Sequence, residues 1–189
     1  MQRPQKYMTG IEYWSNPDSC QNGKEAYIDE NVRKKYYEEI IESLSKIFKC
    51  EDTFTIHEFG CGWGTNLAGI KNVFPNSKMS ANDVWKDALD YVQLHRSYID
   101  IIEMDTIDFI KEKCELNVVY DVIITNAHLI HISDERLKNL KDLHKICNHA
   151  ILQENIQGLE KIVICMESKI LSMKNLPDSD YQYNFRKLC

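Results

Sequence analysis

The stretch Thr55-Ile56-His57-Glu58-Phe59-Gly60-Cys61-Gly62-Trp63-Gly64-Thr65-Asn66-Leu67 decides the reading of this chain. It runs as a short apolar segment, a carboxylate near that segment's end, three glycines at alternate positions and the start of a helix. Three of the seven glycines in the sequence fall between positions 60 and 64. Glycine has no Cβ, so a ligand can come close to main-chain N–H groups there. A carboxylate ahead of the glycines disfavours a phosphate and favours a cationic or hydroxyl-bearing ligand.

Outward from this turn, strand and helix patterns alternate. Val32, Tyr36, Tyr37, Ile40, Ile41, Leu44, Ile47 and Phe48 recur at three- and four-residue spacing, which predicts a helix over 30–48 lying on the core. Strands are expected at Phe54–Phe59, Lys78–Asp83, Ile99–Met104, Val118–Thr125 and Ala150–Glu154. Helices are expected at Thr65–Val73, Trp85–His95, Thr106–Cys114, Asp134–Ile146 (capped by Ser133, with Arg136 at the third position) and Leu159–Met173. Val118–Thr125 is the most apolar strand and should lie centrally, buried on both faces. Five strands separated by helices predict an α/β fold with a mainly parallel sheet and helices on both faces. Ligands then sit at the carboxyl ends of the strands. The domain reading is an N-terminal cap segment over 1–29, polar and turn-rich around Tyr13-Trp14, and one Rossmann-like domain over 30–189.

The rest of the composition narrows the function classes. One domain with a real core is the default for 189 residues, 43% hydrophobic and 28% charged. The net charge is −6 and the densest basic run is Arg33-Lys34-Lys35, which argues against a duplex-binding surface. No apolar run approaches the ~20 residues of a membrane helix, and Met1-Gln2-Arg3-Pro4 opens no secretory segment. Seven scattered cysteines, with no C-x-x-C pair, read as reduced thiols, so a cytoplasmic location is expected. The pair His128-x-x-His131 has no third ligand at familiar spacing, and no metal is assigned.

Glu58, Asp83, Asp105 and Asn126 all fall at strand ends, along one edge of the sheet. Asp83 lies 19 positions after Gly64, where an acidic side chain bonds a ribose diol in Rossmann-type sites. Two nucleotide readings compete. A dinucleotide site wants G-x-G-x-x-G with the pyrophosphate on a helix N-terminus. The order Glu58, Gly60, Gly62, Gly64 instead suits an amino-acid ammonium and a sulfonium, favouring S-adenosyl-L-methionine over NAD.

With these residues in place, the chain resembles the class I S-adenosylmethionine-dependent methyltransferases over about 27–157. Glu58-x-Gly60-x-Gly62-x-Gly64, Asp83, Asp105-Thr106, Tyr120–Asn126 and Ala127–Glu135 carry the resemblance. The resemblance implies that Glu58 holds the methionine ammonium, that Gly60 and Gly62 admit the cofactor to the backbone, and that Asp83 binds the ribose. It implies Asp105 and the Thr106 backbone at the adenine, and Asn126 at the methionine part. Gly64 and Asn66 complete the cofactor set, and Tyr27 could close over it. Methyl transfer needs alignment, desolvation and a base if the acceptor is protonated, for which His128 and His131 are the nearest candidates. Trp63 and Trp85 read first as packing residues.

A narrower likeness runs through Trp14, Tyr27-Ile28-Asp29-Glu30-Asn31, Asn66-Leu67-Ala68 and Leu129-Ile130-His131-Ile132. These resemble the methylases associated with pseudaminic acid biosynthesis and imply a sugar or related small metabolite as acceptor. Cys61-Gly62-Trp63 and Ala81-Asn82-Asp83 depart from that subfamily's wording. Only 35 residues follow Glu154, so the last two strands of a full methyltransferase sheet are expected to be missing. That would leave a sheet edge for a second copy or a partner subunit to cover. The alternatives are a non-catalytic cofactor-binding partner subunit and an NAD-dependent oxidoreductase.

Overall fold

The computed structural model describes residues 30–132, 136 and 138–153. The elements are α1 (Glu30–Leu44), β1 (Thr55–Phe59), α2 (Thr65–Val73), β2 (Lys78–Asp83), α3 (Lys86–His95), β3 (Ile99–Glu103), α4 (Thr106–Glu115), β4 (Tyr120–Asn126), α5 (Leu143–Ile146) and β5 (Cys147–Gln153). The five strands form one sheet in the order β3-β2-β1-β4-β5. All four pairings are parallel. The order reverses between β1 and β4, so the carboxyl end of β1 lies beside the crevice where such sheets take ligands.

Alternation along each strand sorts the core into two layers. Ile56, Met79, Ala81, Val122, Ile124 and Ile151 face Ile40, Leu44, Leu67, Ile70, Leu89 and Val92 of α1, α2 and α3. Phe59 and Ile123 face Ile107, Phe109 and Ile110 of α4 and Leu143 and Ile146 of α5. Each fully buried side chain of this size contributes about 1.5–3 kcal/mol. At the amino end of the sheet Asp121 accepts hydrogen bonds from Thr55 N (2.8 Å) and Thr55 Oγ1 (2.9 Å), fixing β1 against β4.

Several sequence expectations change, and β5 begins at Cys147 rather than Ala150. Helix α1 ends at Leu44 rather than Phe48, and the following turn brings Phe48 onto the Phe54 ring, centroids 4.0 Å apart. Strand β4 begins at Tyr120, and Val118 and Val119 are 36% and 52% exposed. The cause is a Schellman end on α4. Asn117 adopts φ 53°, Val118 N bonds Lys113 O, and Asn117 N bonds Cys114 O. Within the expected helix Asp134–Ile146, Arg136 is helical, Lys138–Asp142 form a 3-10 turn and Leu143–Ile146 the single turn α5. Leu140, Leu143 and Ile146 are spaced by three, which suits the eclipsed side chains of a 3-10 segment. Ser133, Asp134, the segment 1–29 and the expected helix Leu159–Met173 lie outside the described residues.

Gly69 lets α2 approach α1. A Cβ there would stand 2.6 Å from the Tyr37 ring. Alanine gains about 1 kcal/mol of helix propensity over glycine, but overpacking costs about 1–3 kcal/mol. Gly69→Ala is therefore expected to leave stability unchanged or lower it by up to about 2 kcal/mol, read by urea denaturation. A clear gain would mean that the two helices are not in close contact.

Candidate functional site

The glycine turn joins β1 to α2, with Gly60, Gly62 and Gly64 all left-handed at φ 64°, 49° and 69°. A side chain in that region costs about 1–2 kcal/mol. Beyond this shared geometry the three differ. A Cβ on Gly60 would collide with Nδ1 and Cγ of His128, so the ring occupies the space that glycine leaves. A Cβ on Gly62 would meet nothing within 4 Å. Gly64 precedes α2, its missing Cβ faces Val92 at 3.1 Å, and its carbonyl accepts a hydrogen bond from Arg96 at 3.1 Å. Of the two glycines expected to admit a ligand, Gly62 faces open space and Gly60 faces a histidine.

Asp83, at the end of β2, holds this turn in place. Its Oδ2 accepts from Gly62 N at 2.7 Å, and its Oδ1 from Val84 N and Trp85 N at 2.7 and 2.9 Å. A carboxylate has about four acceptor positions and three are taken, so Oδ2 keeps capacity for one further hydroxyl. Asp105 caps α4, accepting from Ile107 N at 2.9 Å, and pairs with Arg136. The pairing with Arg136 was not read from the sequence, because the two lie on separate elements 31 residues apart.

A second polar group lies at the carboxyl ends of β1, β4 and β5. Glu58 is 1% exposed and its Oε1 accepts from Asn66 Nδ2 at 2.7 Å. Asn126 on β4 and Gln153 on β5 are register partners on the same sheet face as Glu58. Asn66 Oδ1, Asn126 Nδ2 and Gln153 Oε1 are buried with no hydrogen-bond partner among the described residues. Each such atom costs about 1–3 kcal/mol unless another group completes it. Gln153 donates to Glu39 Oε2 at 2.8 Å and was missed in the sequence, though a polar residue ending a buried strand was the available signal.

Ala127 turns the chain after β4 with φ 53°, and Ala127 N bonds Gln153 O at 2.8 Å. This strained residue brings His128 back over Gly60. His128 Nε2 lies 2.7 Å from Thr106 Oγ1. Burial pushes its pKa down, opposed by the Asp83 and Asp105 carboxylates. His131 is half-buried in the 3-10 turn Leu129–His131, where its N–H bonds His128 O at 3.0 Å. Trp63 and Trp85 pack edge to face at 5.1 Å with Tyr91 beside them, joining the turn to α3. Tyr27 lies outside the described residues. Among the described residues no cluster of three or more His, Cys, Asp or Glu could hold a metal ion.

Beneath the site runs a polar seam that the sequence reading did not include. His57 is 0% exposed, with Nδ1 2.8 Å from Ser80 Oγ and Nε2 3.0 Å from Asn82 Oδ1. Asn82 Nδ2 donates to Met104 O at 2.9 Å and reaches Thr106 Oγ1 at 3.4 Å. The His57 ring stacks on Phe109, centroids 4.1 Å apart. Burial drives its pKa from 6.5 to about 3, so it is neutral at pH 7.

No protein-family model matches the chain. It is 29% identical over 122 residues to a malonyl-[acyl-carrier protein] O-methyltransferase of Bacillus cytotoxicus, a match covering 65% of this chain and 42% of that protein. The chain thus spans less than half the length of this curated relative. Among solved structures, the plantazolicin methyltransferase BpumL in complex with SAH is similar at a TM-score of 0.57 and 19% identity, over 85% of this chain and 63% of that one. Human methyltransferase-like protein 13 in complex with SAH is similar at 0.60 and 13% identity, over 79% and 81%. The parallel sheet and its helices therefore form the Rossmann-like α/β fold of class I methyltransferases.

His57 also gives stability a pH dependence. Its folded pKa lies below the unfolded value, so its contribution is complete above about pH 6.5 and is lost as pH falls toward 3. Between pH 7 and 5 this group alone should remove about 2 kcal/mol of unfolding free energy, read by urea denaturation at each pH. His57→Gln should flatten that dependence. An equally steep curve in the variant would assign the loss to other groups.

Proposed function

We propose that this chain carries an S-adenosyl-L-methionine-dependent methyltransferase activity on a small-molecule acceptor. One observation carries the reading: Gly62 faces open space in a left-handed turn whose N–H binds the Asp83 carboxylate, and the strand and helix flanking that turn carry the Glu58–Asn66 pair. A nucleoside bearing an amino acid has complementary groups at both ends. Its ribose hydroxyls suit Asp83, and its ammonium suits Glu58. Asn66 Oδ1 and Asn126 Nδ2 offer an acceptor and a donor to the amino-acid part. Asp105 and Thr106 face the adenine. S-adenosylmethionine supplies an electrophilic methyl on a sulfonium and leaves as a neutral thioether. The chain's work is then alignment and exclusion of water. A dinucleotide would place its pyrophosphate against Glu58, which disfavours the oxidoreductase reading.

For the acceptor, the likeness to methylases associated with pseudaminic acid biosynthesis supports a sugar or related metabolite. The relative named for malonyl-[acyl-carrier protein] supports a second reading, a carboxylate on an acyl chain carried by a protein. His131 is the candidate base for a protonated acceptor. The net charge of −6 disfavours nucleic acid. No helix among the described residues is long and apolar enough to cross a membrane. A second copy or a partner subunit on the sheet edge and a cytoplasmic location remain part of this proposal.

Isothermal titration with S-adenosylhomocysteine should give saturable one-to-one binding, with no binding of NADH. Asp83→Ala should weaken it by about 1–3 kcal/mol through lost charge-assisted hydrogen bonds. Unchanged affinity in a folded variant would remove the ribose assignment. Transfer of labelled methyl to pooled sugars or to malonyl-loaded carrier protein separates the two acceptors. Cofactor binding without transfer to any acceptor would favour the partner-subunit reading.

A further inference from the structure

The proposed cofactor leaves one buried polar group at the carboxyl edge of the sheet unused. Asp83, Glu58 and Asn126 lie on β2, β1 and β4, neighbouring strands that take the ribose, the ammonium and the rest of the amino-acid part. Gln153 lies one strand further, on β5, beside Asn126. Its amide is oriented. Gln153 Nε2 donates to Glu39 Oε2 of α1 at 2.8 Å, so Oε1 is the open end, and a carbonyl oxygen only accepts. Asn126 is its register partner on the same sheet face, and neighbouring strands run about 4.8 Å apart. Asn126 Nδ2 has two hydrogens and no partner among the described residues. The amino-acid part takes one, and the other remains. A buried acceptor and a buried donor thus stand on adjacent strands without meeting each other, and both are costly until a third group joins them.

We propose that Gln153, together with Asn126, binds the reacting hydroxyl of the methyl acceptor, so that the acceptor is an alcohol rather than a carboxylate or an amine. A hydroxyl brings one proton and two lone pairs. Its proton suits Gln153 Oε1, and its oxygen takes the remaining Asn126 N–H. A carboxylate has no proton and would set its lone pairs against those of Gln153 Oε1. An ammonium satisfies Gln153 and offers Asn126 no lone pair. Glu39 is a positioning residue, because its carboxylate decides which end of the Gln153 amide stays open. In the transfer the hydroxyl oxygen bonds the methyl carbon as the carbon–sulfur bond breaks. The sulfur keeps that electron pair, and the hydroxyl proton passes to a base, for which His131 is the candidate. The inference rests on the proposed cofactor and names the substrate class of that same site.

The full chain loaded with S-adenosylhomocysteine is titrated with methyl glucopyranoside, malonate or methylamine, and side-chain amide 15N–1H spectra are followed. The pyranoside should move the Asn126 and Gln153 NH2 signals saturably, and the other two probes should not. Label transferred from S-adenosylmethionine to the pyranoside should resist mild alkali, as an ether does and a methyl ester does not. Gln153→Met should raise the pyranoside Kd about tenfold with S-adenosylhomocysteine affinity unchanged. Glu39→Leu should do the same by releasing the amide, and Glu39→Gln, which keeps an oxygen for Nε2, should restore the wild-type Kd. If Gln153→Met fails to fold, the Glu39 pair carries the test. Signals that respond to malonate or methylamine instead, or alkali-labile label on malonyl-loaded carrier protein, overturn the alcohol assignment. Signals unmoved by every probe mean that an internal water alone joins the two amides, which also overturns it. Unchanged pyranoside affinity in the variants overturns the role of Gln153. A chain that binds no S-adenosylhomocysteine removes the proposed function, whereas binding without a pyranoside response removes this inference alone.

Discussion

The hydrogen bond from Gly62 N–H to Asp83 Oδ2 is the interaction around which the site is organised. It ties the turn after β1 to the end of β2, and the same carboxylate caps the entry to α3 through Val84 and Trp85. Three left-handed glycines within five residues would otherwise be a highly entropic segment, because glycine loses more backbone freedom on ordering than any other residue. Asp83, the Arg96 contact to Gly64 O and the Trp63–Trp85 pair together restrain that freedom. The binding edge is thus ordered by bonds that also belong to the fold.

The seam from Ser80 to His128 contrasts with its surroundings. It crosses a face of the sheet otherwise built from Phe59, Phe109, Ile123 and Leu143. A buried imidazole, amide and hydroxyl would be costly there if any were left unsatisfied. Each instead has a partner, and the His57 ring contributes stacking area to Phe109 as an aromatic residue would.

Much of this was legible in the sequence. The glycine turn, α2 and β2 fall at the expected residues, because periodicity, turn chemistry and the strand-end rule agreed there. Strand β4 was placed two residues early because Val118 and Val119 look like a strand start, and only the Asn117 turn shows that they belong to a helix end. The segment before β5 reads as one helix in the sequence because spacing by three fits both a helix and a 3-10 turn, so the break at Lys138–Asp142 is not visible there. The partners of the site residues were the least visible. Arg136 on Asp105, His128 on Gly60 and Asn82 on His57 are contacts between elements far apart in sequence, and no local pattern encodes them.

The Thr55–Asp121 clamp joins residues 66 positions apart at the base of β1 and β4. Between them lie the glycine turn, α2, β2, α3, β3 and α4, so the central pair of the sheet closes only after a long loop has been drawn in. Chains dominated by such distant pairings tend to fold slowly, since loop entropy is lost before the contacts repay it. The crevice, whose walls come from both strands, has no precursor in either half of the domain. A fragment ending before β4 would hold the glycine turn in sequence and lack the histidine that seats it.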